Sequence, residues 1–185
     1  KTSFLIVDDC SKKSAIDVLK NEQDIDDLDI HLYCVKEDLF CNIAGVRNLG
    51  FKEMQTEWGL LLDMDTLVDN DMMKGLFILM KYKEKRAAYK FNRKVPKNPR
   101  HVKNGQFHPA ITLIRREDYW FVGGCEEDLV GHYGQTDPSF WYRAKNKIKV
   151  YFCRDIFLTY DPEGECDMIR DTRHNTQLFE KKKKD

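Results

Sequence analysis

The sequence predicts a layered α/β fold, a mixed central sheet flanked by helices, and three observations carry that prediction. Phe4-Leu5-Ile6-Val7 and Leu60-Leu61-Leu62 are short, continuous apolar runs, the pattern of strands buried on both faces. Each run ends in acids, Asp8-Asp9 and Asp63-Met64-Asp65, where a strand opens to solvent at its C-terminal end. Between and after them, apolar residues recur at helical spacing. With 185 residues, 42% hydrophobic, the chain is sized for one compact domain over 1–185 that needs neither disulfide nor metal merely to fold.

Taken in order, Phe4 to Val7 is the first strand, and Ser11 is the expected cap of the helix after it, with Ile16 and Leu19 in its apolar stripe. The acidic stretch Asp24 to Asp29 leads to a second strand in which Ile30, Leu32 and Cys34 alternate with His31, Tyr33 and Val35. Asn42 to Met54 reads as a helix with Ile43, Val46, Gly50 and Met54 near one face. After Leu60 to Leu62, Asp69 and Asp71 favour a helix N-terminus, because carboxylates complement its positive dipole end. Met73, Leu76, Phe77 and Met80 then recur at i, i+3, i+4 and i+7, the spacing of one core-facing stripe. Ala87 to Phe91 and Ala110 to Ile114 read as strands, Gly123-Gly124 as a tight turn, Ser139 to Ala144 as a helix and Lys149 to Phe152 as a late strand. Pro96 and Pro99 break the chain into a loop. Lys181 to Lys184 reads as a frayed, solvated basic tail, 181–185.

The 31 basic and 31 acidic residues cancel, which excludes a uniformly basic nucleic-acid binder. The charges are nevertheless segregated: residues 1–80 hold eight Lys/Arg and sixteen Asp/Glu, whereas residues 81–103 hold ten and one. The block 81–103 has three readings: a solvated loop, a flexible lid that meets an anionic ligand, or a nucleic-acid contact. No apolar run approaches the roughly 20 residues of a membrane span, and Lys1-Thr2-Ser3 lacks the pattern of a signal peptide. The six cysteines form no C-x-x-C pair. A cytoplasmic setting with reduced thiols is expected.

Ligands of open α/β sheets bind at the carboxyl ends of strands, where both acidic clusters lie. In Asp63-Met64-Asp65 the carboxylates stand at i and i+2, sharing a side if the backbone is extended, and a hard cation such as Mn²⁺ or Mg²⁺ takes such oxygen donors together with substrate phosphates. Asp8 and Asp9 could equally cap the next helix, and Asp137 could be an N-cap before Pro138. His108, His132 and His174 read more readily as hydrogen-bonding or surface residues than as ligands.

The runs FLIVDDCS, NIAGVRNLGFKEMQTEWGLLLDMD and YWFVGGCEEDLVGHYGQTDPSFWYR resemble, in that order, the GT-A glycosyltransferases, especially family-2-like inverting enzymes with a nucleotide-sugar donor. The resemblance implies a GT-A Rossmann-like domain that moves a sugar from a nucleoside-diphosphate sugar, a UDP-sugar, to a hydroxyl of a glycan or other acceptor, with Mn²⁺ or Mg²⁺ as cofactor. It assigns Asp8 and Asp9 to the nucleotide, Arg47 to the donor diphosphate or the acidic cluster, and Asp63 and Asp65 to the metal and donor. Gly123 and Gly124 become the turn that lets backbone approach the sugar, and Asp137 the general base. Three departures bear on that assignment. Thr136-Asp137 replaces the usual Glu-Asp, so acceptor choice should differ. The strand that normally opens the family is not seen. No histidine follows the last strand at the usual place, leaving His174, Asp161 or nothing as third metal ligand. A sugar-nucleotide nucleotidyltransferase and a non-catalytic carbohydrate- or nucleic-acid-binding module are the rival readings. The segregated charge fits a metal-assisted diphosphate site.

Overall fold

A computed structural model describes residues 2–22, 25–82, 84–94, 106–160 and 170–184. The Pro96–Pro99 loop, most of the basic segment beyond Lys94, and Asp161 lie outside the described residues. The chain divides into two compact units, one formed by Lys1–Gln55, Cys125–Thr136 and Ile169–Asp185, the other by Thr56–Gly124 and Asp137–Met168.

In the first unit, β1 (Ser3–Asp8) pairs in parallel with β2 (Asp29–Cys34), Ile6 opposite Leu32. The intervening helix α1 (Ala15–Leu19) is capped by Ser14, whose Oγ accepts from Ile16 N at 3.3 Å, and not by Ser11. The backbone runs on past Ser11 because the Asp8 carboxylate holds both the Ser11 and the Ala15 N–H. Helix α2 (Ile43–Glu53) buries Ala44, Arg47, Asn48 and Phe51, a face rotated from the expected Ile43–Val46–Gly50 stripe, because Arg47 and Asn48 face inward. Helix α6 (Arg173–Lys182) takes in Lys181 and Lys182, the first two residues of what reads in sequence as a frayed tail. Phe179 is buried there, and Lys182 Nζ lies 2.6 Å from Asp128 and 3.3 Å from Glu126, so the basic residues are held by acids.

The second unit is built on a five-stranded mixed sheet in the order β3 (Trp58–Leu61), β6 (Phe107–Arg115), β5 (Ala87–Lys94), β7 (Lys149–Tyr160), β4 (Thr66–Leu67), with β5 and β7 parallel and the other neighbours antiparallel. Helix α3 (Asn70–Lys81) starts at Asp69, whose carboxylate accepts from Met72 N at 2.8 Å. Met72 and Leu76 are its buried residues, with Met73, Leu79 and Met80 partly buried against the same core, while Phe77 is 50% exposed; the stripe sits one residue earlier than its spacing suggests. Gly75 permits the approach to β7: a Cβ there would lie 2.9 Å from Ile156 Cδ1. Tyr89, Phe91, Ile111, Leu113 and Leu158 complete this core on one face of the sheet. Side chains alternate along a strand, so Lys90, between Tyr89 and Phe91, points to the other face. Helices α4 (Arg116–Val122) and α5 (Thr136–Ala144) are the remaining α-helices among the described residues. No described helix is long and apolar enough to cross a membrane.

Candidate functional site

In the second unit, the chain leaves β3 and turns at Asp63-Met64-Asp65 before β4. The turn is closed by Thr66, whose N–H donates to the Asp63 carbonyl at 3.1 Å and whose hydroxyl donates to the same oxygen. The two carboxylates therefore converge through a turn, not through extended backbone. Met64 between them is 93% exposed. His108, near the start of β6, completes a cluster: one ligand atom each from Asp63, Asp65 and His108 lie within 4.8 Å of one another.

The histidine that joins these acids thus comes from β6 and not from a position after the last strand. His174 belongs to the first unit, where its ring stacks on that of His132 with 3.7 Å between centroids. His108 is buried, at 5% exposure. Burial pushes its pKa down, as do Arg93 and Lys90, while Asp63 and Asp137 pull it up; the net shift is downward, which favours the neutral imidazole a cation requires. Its Nδ1 accepts from Ala110 N at 3.3 Å and Ile111 N at 3.4 Å, the long end of hydrogen bonding.

Asp137 sits in the first turn of α5, inside the helix that Thr136 begins rather than at an N-cap before Pro138. Gly134 and Gln135, just before it, both have positive φ, 96° and 63°, a conformation costly for glutamine. Asp137 bears electrostatically on His108 and Lys90. Burial lowers the Lys90 pKa to about 8 against the opposing pull of the Asp137 carboxylate. The Asp63–Asp65–His108 cluster, the base candidate and this lysine are therefore neighbours in one electrostatic environment.

Gly123 and Gly124 end α4, with φ of 104° and 63°. Their N–H groups donate to Trp120 O and Tyr119 O, each at 3.0 Å, the reversed turn by which glycine stops a helix. Arg143 holds the turn from α5: its Nη2 donates to Gly124 O at 2.8 Å, and a Cβ on Gly123 would lie 3.1 Å from its Nη1. Besides its conformation, Gly123 makes room for this guanidinium.

The first unit separates the two acids that follow β1. Asp8 is buried and committed to backbone, its Oδ1 accepting from Ser11 N at 3.0 Å and its Oδ2 from Ala15 N at 2.8 Å. Burial pulls its pKa up, but the hydrogen bonds from Ser11, Ala15 and Ser14 outweigh it and hold the carboxyl below its ordinary value. Asp9 is placed differently: Oδ2 accepts from Asn42 N at 3.1 Å, while the buried Oδ1 has no hydrogen-bond partner among the described residues. Arg47 is buried on α2. Its neighbour Asn48 grips the residues after the glycine turn, accepting from Cys125 N at 2.8 Å and donating to Cys125 O at 3.0 Å and Glu127 Oε1 at 2.7 Å.

Sequence reasoning set aside His108 as a ligand and missed Asp118 and Asn175. Asp118 is fully buried on α4, accepting from Arg86 N at 3.1 Å and Arg86 Nη1 at 2.9 Å, and so fixes Arg86 at φ 59° where β5 begins. Asn175 donates to Leu129, His132 and Gly134 carbonyls at 2.7–2.9 Å, shaping the loop that leads into α5. Neither His108 nor Asn175 carries a local signal: β6 mixes apolar residues with Thr112 and Arg115, and the partners of Asn175 lie 41 to 46 residues away.

Solved structures share this architecture. The S. aureus TarS fragment 1–349 in complex with UDP-GlcNAc matches with a TM-score of 0.71 at 13% identity over 90% of this chain and 51% of that one. The mannosyltransferase PcManGT from Pyrobaculum calidifontis in complex with GDP-Man and Mn²⁺ gives 0.70 at 18% identity over 99% and 55%, and GalNAc-T7 with UDP, GalNAc and Mn²⁺ gives 0.72 at 12% over 96% and 41%. At these identities the likeness is one of fold, the GT-A Rossmann-like α/β fold, and the chain spans about half the length of these proteins. No curated protein matches the sequence. The profile of glycosyl transferase family 2 does match, over residues 2–145, a span that takes in both acidic strand ends, the glycine turn and the start of α5. That span is well over half of the sequence, and the chain belongs to glycosyl transferase family 2.

Proposed function

We propose that the chain is a metal-dependent glycosyltransferase that moves a sugar from a nucleoside-diphosphate sugar, a UDP-sugar, to a hydroxyl of a glycan or other acceptor with inversion. The observation that carries this reading is the convergence of Asp63, Asp65 and His108 in a family 2 chain. Ligands on opposite sides of a small divalent ion at about 2.1 Å lie roughly 4.2 Å apart, so side chains within 4.8 Å of one another need only small adjustments to share one ion. The donor set of two carboxylates and an imidazole suits Mn²⁺ better than Mg²⁺, which keeps to oxygen. A cation held there supplies positive charge for the departing diphosphate.

The remaining work falls to this chain's own groups. Asp137, at the start of α5, takes the proton of the acceptor hydroxyl as it attacks the anomeric carbon. The unpartnered Oδ1 of Asp9 accepts from the donor's ribose or base, whereas Asp8 supports it by fixing the backbone after β1. Arg47 meets the donor diphosphate, and the Gly123-Gly124 turn, held by Arg143, lines the sugar.

Incubation with a panel of UDP- and GDP-sugars and Mn²⁺, read as nucleoside-diphosphate release, tests the proposal. Asp65→Ala should abolish Mn²⁺-dependent UDP binding in a fluorescence titration. Asp137→Asn should spare that binding and lower turnover about 10²–10⁴-fold. Failure to bind any nucleotide in the presence of Mn²⁺, or pyrophosphate release from a nucleoside triphosphate, would overturn it.

A further inference from the structure

Three elements of the second unit meet at one carbonyl. Pro109 O accepts from Trp141 Nε1 at 2.9 Å and from Lys90 Nζ at 3.3 Å, and the same Nζ lies 4.3 Å from the Trp141 ring centroid. The three contacts close a triangle across β5, β6 and α5. Two of its corners are attached directly to the proposed chemistry. Pro109 follows His108 in the chain, and Trp141 stands four residues after Asp137 on α5, on the same helical face.

From these contacts we infer that Lys90 is a positioning residue that ties the helix carrying Asp137 to the strand carrying His108, an inference that rests on the glycosyltransferase reading above. A lysine suits this place for two reasons. Its ammonium can donate to a carbonyl and at the same time sit against the face of an indole, which a neutral side chain of equal length cannot do. It is also a cation on the sheet face opposite the apolar core, where Asp137 favours its charged form against burial, while His108 and Arg93 are its titratable and charged neighbours on β6 and β5. The pairing of β5 with β6 shifts register between Lys90 and Asn92, a local irregularity that re-aims side chains at this point. Without the ammonium, the Trp141 bond to Pro109 loses its brace from β5, and the base moves relative to the proposed metal ligands although none of them has been altered.

The test uses Lys90→Met, which keeps the stem and removes the donor, Lys90→Arg, which restores it, and Trp141→Phe. With UDP and Mn²⁺ as probe, Lys90→Met should bind within about twofold of wild type, whereas its kcat for UDP release should fall about 10- to 100-fold, the effect of a misplaced reacting group. Lys90→Arg should recover most of that loss. In urea unfolding, Lys90→Met and Trp141→Phe should be non-additive, their combined effect on the unfolding constant falling short of the product of the singles by about threefold or more. Unchanged kcat in Lys90→Met overturns the inference. So does a loss of UDP–Mn²⁺ affinity that matches the loss of kcat, which would make Lys90 a donor-binding group. Should wild type release no nucleoside diphosphate from any donor, the glycosyltransferase reading fails by itself, and additivity in the unfolding cycle separately rejects the triangle.

Discussion

The two units of this chain differ in how much apolar core they bury. The second encloses a dry core in which Ala87, Phe91, Ile111 and Leu158 are fully buried. The first buries fewer apolar side chains, Phe51, Leu129 and Phe179 among them, and fixes its loops with the buried polar side chains of Asp8, Asn48 and Asn175. A two-stranded parallel sheet has little apolar burial of its own, so directional bonds fix the geometry that packing does not. A core tolerates volume-conserving exchange, whereas a buried amide has no substitute that satisfies the same partners.

Four substitutions would break or sharpen that contrast, from largest effect to smallest. Phe91→Ala, at the centre of the apolar core, should destabilise by about 3–5 kcal/mol in urea unfolding, and a loss below about 1 kcal/mol would mean that the core is not what holds the second unit. Asn175→Ala strands three carbonyls and should cost about 2–3 kcal/mol, with faster amide exchange in Leu129 to Gly134. Asp8→Asn should cost about 1–2 kcal/mol as a lost cap and remove a pH dependence. Because the folded pKa of Asp8 is lowered, its contribution is present in full above the ordinary aspartate value near about 4 and is lost as pH falls below that, through the lowered folded value. Amide exchange of Ser11 and Ala15 should therefore accelerate in acid in the wild type and be insensitive to acid in the variant. Ile16→Ala, on the exposed side of α1, should change stability by no more than about 0.5 kcal/mol; a larger loss would show that this face is covered in solution.

What could be read from sequence follows the same division. The apolar runs of β1 and β3, the Asp69 start of α3 and the strands around Ala88 and Ile111 were legible because burial writes itself as periodicity. The carboxylate pair Asp63 and Asp65 was legible because only Met64 separates its two acids in sequence. Its third member was not: His108 is brought there by β6, and no local pattern distinguishes a histidine beside a carboxylate turn from one merely buried in a strand. Asp118 and Asn175 were invisible for a related reason. Their partners are 31 and more residues away, and a lone polar residue in a charged stretch reads as solvated. The last turn of helix α6 was hidden by composition, since four consecutive lysines suggest solvent although the helix is anchored by Phe179 and by the Glu126 and Asp128 carboxylates.

The ordered cations of β5 and its approach share a further property. Arg86 lies 3.7 Å from the Phe121 ring centroid, Lys90 4.3 Å from that of Trp141, and Lys94 4.9 Å from that of Phe157. Raising ionic strength from about 0.1 to 1 M shrinks the screening distance from roughly 10 to 3 Å. Exposed pairs such as Lys74–Asp71 weaken under that change. A cation lying against a ring leaves no room for an ion to come between them, and the pair of Arg86 with Asp118 is screened less because Asp118 is buried. The central strand beside the Asp63–Asp65–His108 cluster should thus keep its place in molar salt, and a salt-dependent loss of affinity for the proposed donor would report on the anionic ligand itself, not on a sheet coming apart.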